Sequence, residues 1–138
     1  MSDTDAAAIH HILEQQTPWE LHLVAANGPE VINRRELATL PEADIQARLT
    51  EAAERAQTGL SYLRLGHDLM GTLDGQPRKP LADLIKSKAF AAFCEGLTGL
   101  SGLDLHSVSA VCYRPGDFFT RHTDTAARLC FEWNFTDG

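Results

Sequence analysis

The chain has 138 residues, 43% of them hydrophobic, and a net charge of −7. That length suits one domain with a substantial core, and the acidic balance argues against a nucleic-acid surface or an anionic membrane surface as the main partner. No apolar run approaches a membrane span, and the acidic start MSDTDAAAIHH has neither the basic nor the apolar region of a signal peptide. Cys94, Cys112 and Cys130 are odd in number and widely spaced, with no CxxC. They read as buried reduced thiols rather than as a disulfide frame or a zinc site. The expectation is a soluble cytoplasmic domain.

Residues 5–16 carry Ile9, Ile12 and Leu13 at helical spacing, which predicts a short amphipathic helix. Trp19–Ala26 alternates Trp19, Leu21 and Leu23 against Glu20 and His22, the pattern of a half-buried strand with His22 on its polar face. Asn27-Gly28 is a turn signal, with Glu30–Asn33 as the returning strand. Thr39-Leu40-Pro41-Glu42 has capping-box spacing. The stripe Ile45, Leu49, Ala52 or Ala53, and Ala56 after it, closed by Gly59, predicts a helix over 41–57. Leu60–Leu65 alternates again and predicts a strand, and Gly66–Lys79 predicts a loop that includes His67 and Asp68. Pro80 opens a second long helix with Leu81, Leu84, Ile85, Ala89, Ala92 and Phe93 as its buried stripe, broken between Gly96 and Gly102. Strands are expected from 106 to 113, from 118 to 124 and from 128 to 136. Helices first and strands later suggest an α+β domain with helices on one face of a largely antiparallel sheet.

The stretch with chemistry in it is Tyr113–Asp124, YRPGDFFTRHTD. Arg114-Pro115-Gly116-Asp117 is a turn signal, because Pro fixes φ and Gly allows φ above zero. On the extended segment that follows, residues two apart share a face, so His122 and Asp124 would present an imidazole and a carboxylate together. One nitrogen and one hard oxygen suit adjacent positions around Fe(II), and a third ligand would complete a facial triad with open positions. The triplet alone fits an exposed strand end without metal equally well. Tyr113, the Pro-Gly turn and Phe119 make the pattern more specific.

With those residues in place, the chain resembles the Fe(II)- and 2-oxoglutarate-dependent dioxygenases of the prolyl-4-hydroxylase-like branch. The match rests on Tyr113, Pro115-Gly116, Phe119, His122-Thr123-Asp124, Arg128 and Asn134. The order of a Trp-led strand, a helix, a short strand and a helix ending near Leu97 is also similar. The resemblance implies one domain over 1–138, with helical support over 1–100 and metal-site strands over 104–136. The implied fold has N-terminal helices packed on a partial double-stranded β-helix, or jelly roll. It further implies His122 and Asp124 as iron ligands and Tyr113 near the 2-oxoglutarate carboxylate. Phe119 would be a pocket wall, and Arg121 would face away from the metal. Tyr113 also fits a plain core tyrosine. The implied cofactors are Fe(II), 2-oxoglutarate as co-substrate with O₂, and ascorbate as reductant. The implied reaction is hydroxylation of a prolyl or other side chain of a protein.

The family completes its site with a downstream histidine and a basic residue. Here the last histidine is His122 and the only Arg or Lys after it is Arg128. Both groups would lie beyond Gly138, with His106 the nearest upstream substitute. The alternative expectation is a truncated, non-catalytic jelly-roll module for binding or assembly, with a homodimer covering an open sheet edge.

Overall fold

The structure, a computed structural model, describes residues 3–123 and 127–135. In chain order its elements are α1 (Asp3–Gln16), β1 (Glu20–Ala25), β2 (Gly28–Ile32), α2 (Arg34–Leu37), α3 (Glu42–Ala56), β3 (Tyr62–Asp68), α4 (Lys79–Ile85), α5 (Lys88–Thr98), β4 (Ser109–Cys112) and β5 (Phe118–Phe119). The architecture is α+β, as the order of patterns predicts. Its open antiparallel sheet runs β2-β1-β3-β4, and β5 also pairs with β3. No described helix is long and apolar enough to cross a membrane. The chain divides into two compact units, one of Pro18–His67 with Val111–Asp124, the other of Met1–Thr17, Asp68–Ala110 and Thr125–Gly138.

In the first of these units, alternation along β1 sends Leu21, Leu23 and Ala25 to one face of the sheet. There they pack with Ile32 of β2 and Ala52 of α3, ringed by Leu37, Leu40, Leu63, Leu65 and Phe118. The β1–β2 hairpin forms, with Ala25 opposite Gly28. Its loop is Ala26-Asn27, one residue earlier than the turn signal suggests. Gly28, at φ +117°, instead re-enters the ladder in a conformation that a Cβ would strain. Helix α3 matches the predicted span within a residue, and of the two candidate alanines Ala52 is buried and Ala53 exposed.

The capping box is a correction. Pro41 is the N-cap of α3 and makes no side-chain cap bond. Thr39 instead donates its hydroxyl to the Glu36 carbonyl at the end of α2. That short helix was not anticipated. Asn33 caps it, its Oδ1 accepting from the Arg35 and Glu36 amides at 3.0 Å each. The strand predicted to end at Leu65 continues to Asp68, because Glu20 pairs with Gly66 and prolongs the ladder. Gly66, His67 and Asp68 are therefore strand residues, not loop.

In the second unit, the long helix expected from Pro80 is two helices. Ser87 separates them: its hydroxyl donates to the Leu84 carbonyl at 2.7 Å and accepts from the Phe90 amide at 3.1 Å. One side chain thus closes α4 and caps α5. Helix α5 runs through Gly96 and stops at Gly99, whose φ of +71° is the left-handed cap. Ala82 and Cys94 are buried here, while Leu84 and Phe93 of the expected stripe are half exposed.

The strand expected over 128–136 is absent from residues 127–135. Phe131 and Trp133 instead set their rings against Phe90 of α5, with centroids 5.2 and 5.8 Å away, and Phe131 stays 42% exposed. The cysteines form no disulfide among the described residues, and only Cys94 is buried; Cys112 lies on the short strand β4 and Cys130 in the exposed C-terminal stretch.

Candidate metal centre

The turn that leads into the motif is built as its residues demand. The Asp117 amide donates to the Arg114 carbonyl at 2.9 Å, and Gly116 takes φ +94° at the position where a type II turn needs it. The Asp117 carboxylate folds back to accept from the Arg114 amide at 3.0 Å and from its guanidinium at 3.1 Å. The strands flanking this turn join β3 rather than forming a hairpin with each other alone. Pairing places Phe119 opposite Tyr62 and Phe118 opposite Leu63. Phe118 therefore faces the helix-covered core, and Phe119 faces the other side of the sheet.

Beyond Phe119 the segment is not regular strand, yet it is firmly attached. The Thr120 amide donates to the Ser61 carbonyl, the Ser61 amide donates to the Thr120 hydroxyl, both at 2.9 Å, and the buried Ser61 hydroxyl reaches the Ala52 carbonyl of α3 at 2.8 Å. This lock sets the position of His122. Its ring stacks on Phe119, with centroids 4.0 Å apart and planes 20° from parallel. Its Nδ1 lies 3.0 Å from the Thr120 carbonyl oxygen. A carbonyl only accepts, so Nδ1 carries the hydrogen and the lone pair of the neutral imidazole sits on Nε2.

Of the other residues predicted for the site, Asp124 lies outside the described residues. Tyr113 follows β4 and is 51% exposed, which removes the core-tyrosine reading. Arg121 is exposed. His106 is exposed ahead of β4, on no strand. Among the described residues no three His, Cys, Asp or Glu side chains gather as a metal-ligand group.

Sequence reasoning missed the residues that surround Phe119. Tyr62 meets it edge to face at 5.4 Å. The Arg64 guanidinium lies over both rings, 5.1 Å from the Tyr62 centroid and 5.0 Å from that of Phe119. His22 is opposite Arg64 in the ladder. Its imidazole covers Gly66 so closely that a Cβ there would stand 2.8 Å from the ring. His22 was expected on the surface, yet its side chain is only 21% exposed. Burial lowers its pKa below the ordinary value, the Arg64 charge adds to that, and Glu20, with a carboxylate oxygen 3.9 Å from Nε2, opposes it. The signal was the alternation in Leu60–Leu65, which already put Tyr62 and Arg64 on one face.

No protein-family model matches the chain, and no curated protein or solved structure matches it significantly.

His122 suits a metal on its own geometry. Ligating histidines commonly donate their second ring N–H to a backbone carbonyl, which fixes tautomer and orientation, and the Thr120 carbonyl receives that bond here.

Proposed function

We propose that the chain carries the metal-binding part of an Fe(II)- and 2-oxoglutarate-dependent oxygenase. His122 and Asp124 would hold the iron, and Tyr113 would lie near the co-substrate carboxylate. The observation that carries this reading is the His122 Nδ1 bond to the Thr120 carbonyl, which turns Nε2 into the donor atom of a pre-oriented imidazole. The resemblance around Tyr113–Asp124 supplies the rest.

Iron with 2-oxoglutarate and O₂ supplies the oxidising chemistry that hydroxylates an unactivated C–H of a substrate side chain. The protein's own part is to orient. Phe119 supports one face of the His122 ring, Thr120 fixes its tautomer, and the Ser61–Thr120 lock ties both to β3. A jelly-roll arrangement is part of the proposal. Helix α3 covers one face of the sheet, while the opposite face carries His22, Tyr62, Arg64 and Phe119, a composition that suits the interior of a reaction cleft.

The test is Mn(II) binding, followed by paramagnetic resonance, together with Fe(II)-dependent formation of succinate from 2-oxoglutarate in the presence of ascorbate. The expected result is Mn(II) binding that His122→Ala and Asp124→Ala each abolish, with succinate formation lost in parallel. A purified chain that binds no Mn(II) and forms no succinate ends the reading. The second reading, a metal-free assembly module, is favoured by the open sheet edge at β2, where Val31 is 54% exposed. It predicts a stable oligomer by light scattering and no effect of Mn(II) on melting.

A further inference from the structure

Within the second compact unit, α1, α4, α5 and the C-terminal stretch border an open cleft of about 330 Å³. Its lining is Asp5, Ile9, Leu84, Phe90, Phe93 and Trp133, and its volume falls in the range of small-molecule sites. Asp5 and Ile9 are four residues apart on α1 and so share one face of that helix. The three rings are inclined to one another: Phe93 stands at 33° to Phe90 and Trp133 at 66°, with centroids 6.1 and 5.8 Å from that of Phe90. They therefore border the cleft from different directions rather than as one flat floor. Leu84 and Phe93 stay 49% and 51% exposed, which leaves apolar surface for a ligand to cover. The one charged group of the lining is the Asp5 carboxylate, exposed at its rim, and none of the described lining residues is basic.

That composition selects a ligand by elimination. Ring faces carry the negative end of the aromatic quadrupole and a carboxylate adds a full negative charge, so an anion is repelled. A primary ammonium brings three N–H donors, and one carboxylate cannot satisfy them in an apolar cleft. A quaternary ammonium has no N–H, spreads its charge over its methyl groups and needs no acceptor, and aromatic faces attract it. The net charge of −7 favours the approach of any cation.

We propose that this cleft binds a free small molecule bearing a quaternary ammonium group, held among Phe90, Phe93 and Trp133 with Asp5 at the edge. The site shares no residue with the candidate metal centre and does not rest on the oxygenase reading.

The probe is choline, titrated into the whole chain by calorimetry and by ¹H–¹⁵N spectra, with ionic strength matched by sodium chloride. The Trp133 indole N–H signal should shift saturably, while that of Trp19, which does not line the cleft, stays in place. The comparison ligand is 3,3-dimethylbutanol, which has the same shape with carbon in place of the charged nitrogen. Choline should bind at least about tenfold more tightly than this alcohol. Trp133→Leu should weaken choline at least about tenfold, Trp133→Phe less because a ring remains, and Asp5→Asn about threefold. If Trp133→Leu does not fold, Phe93→Leu at a half-exposed position takes its place with the same expectation. The alcohol binding as tightly as choline overturns the proposal, since the cleft would then be merely apolar. A wild type that choline does not saturate overturns it too, as does a folded Trp133→Leu variant that binds choline unchanged. Phosphatidylcholine vesicles present the same group on a surface. The chain should not sediment with them, and sedimentation that Trp133→Leu abolishes would overturn the assignment to a free molecule.

Discussion

His22 shows how a local pattern understates a residue's surroundings. Alternation puts it correctly on the polar face of β1, but pairing with β3 places its ring over Gly66 and beside Arg64. Its pKa falls below the ordinary histidine value of 6.5, with burial the largest cause. The folded protein then keeps His22 neutral while the unfolded chain takes up a proton as pH drops below 6.5. Its contribution to stability is therefore complete above that value and is lost as pH falls through the lower, folded-state value. Urea unfolding at about pH 7.5 and about pH 5 should show wild type losing more stability on acidification than His22→Gln. A His22 ring that titrates at or above the ordinary value by NMR contradicts this. His122 is the contrasting case: its residue type and spacing were enough to nominate it, yet its tautomer depends on a carbonyl that the strand pairing positions.

At the scale of elements, the differences from sequence expectation share one cause: polar groups at chain ends find their partners case by case. Thr39 has the spacing of a cap for α3 but closes α2 instead, and Asn33, three residues before Glu36, caps that unforeseen helix. Ser87 was hidden inside a continuous apolar stripe. Its short side chain competes with the helix ladder and divides α4 from α5. Ser87→Ala should cost about 1 kcal/mol in chemical denaturation, the usual worth of an N-cap. A loss below a few tenths would mean that α5 is started by its packing alone. The C-terminal aromatic run illustrates the same limit on strands. Its residues have strand propensity, but in the described stretch their rings lie against Phe90 and Phe93 of α5 instead of pairing in a ladder.

On the scale of the molecule, the candidate metal centre depends on a connection across the chain. Thr120 and Ser61 are far apart in sequence, yet hydrogen bonds in both directions join Thr120 to Ser61, and another joins Ser61 to α3. Thr120→Val keeps the shape and removes the acceptor of the Ser61 amide, a part-buried donor. It should cost about 1–3 kcal/mol, the range for a buried donor left unpaired, and should move the His122 ring signals because the segment after β5 keeps only its backbone bond to Ser61. A variant with wild-type stability and unchanged His122 signals would show that Phe118 and Phe119 hold this segment without Thr120.

What the amino-acid order determined by itself was whatever nearest neighbours decide. The amphipathic stripe of α3 and the alternation of β1 and of the start of β3 are of this kind. So is the Pro-Gly turn at Arg114–Asp117, along with the candidacy of His122, because periodicity and turn chemistry act over a few residues. Tertiary structure alone decided which strands pair, how far β3 extends, and that Arg64 and His22 meet beside Phe119. Those contacts join β1, β3 and β5 across long sequence separations. Ladder pairing and the burial it creates set them, and no local pattern encodes either one.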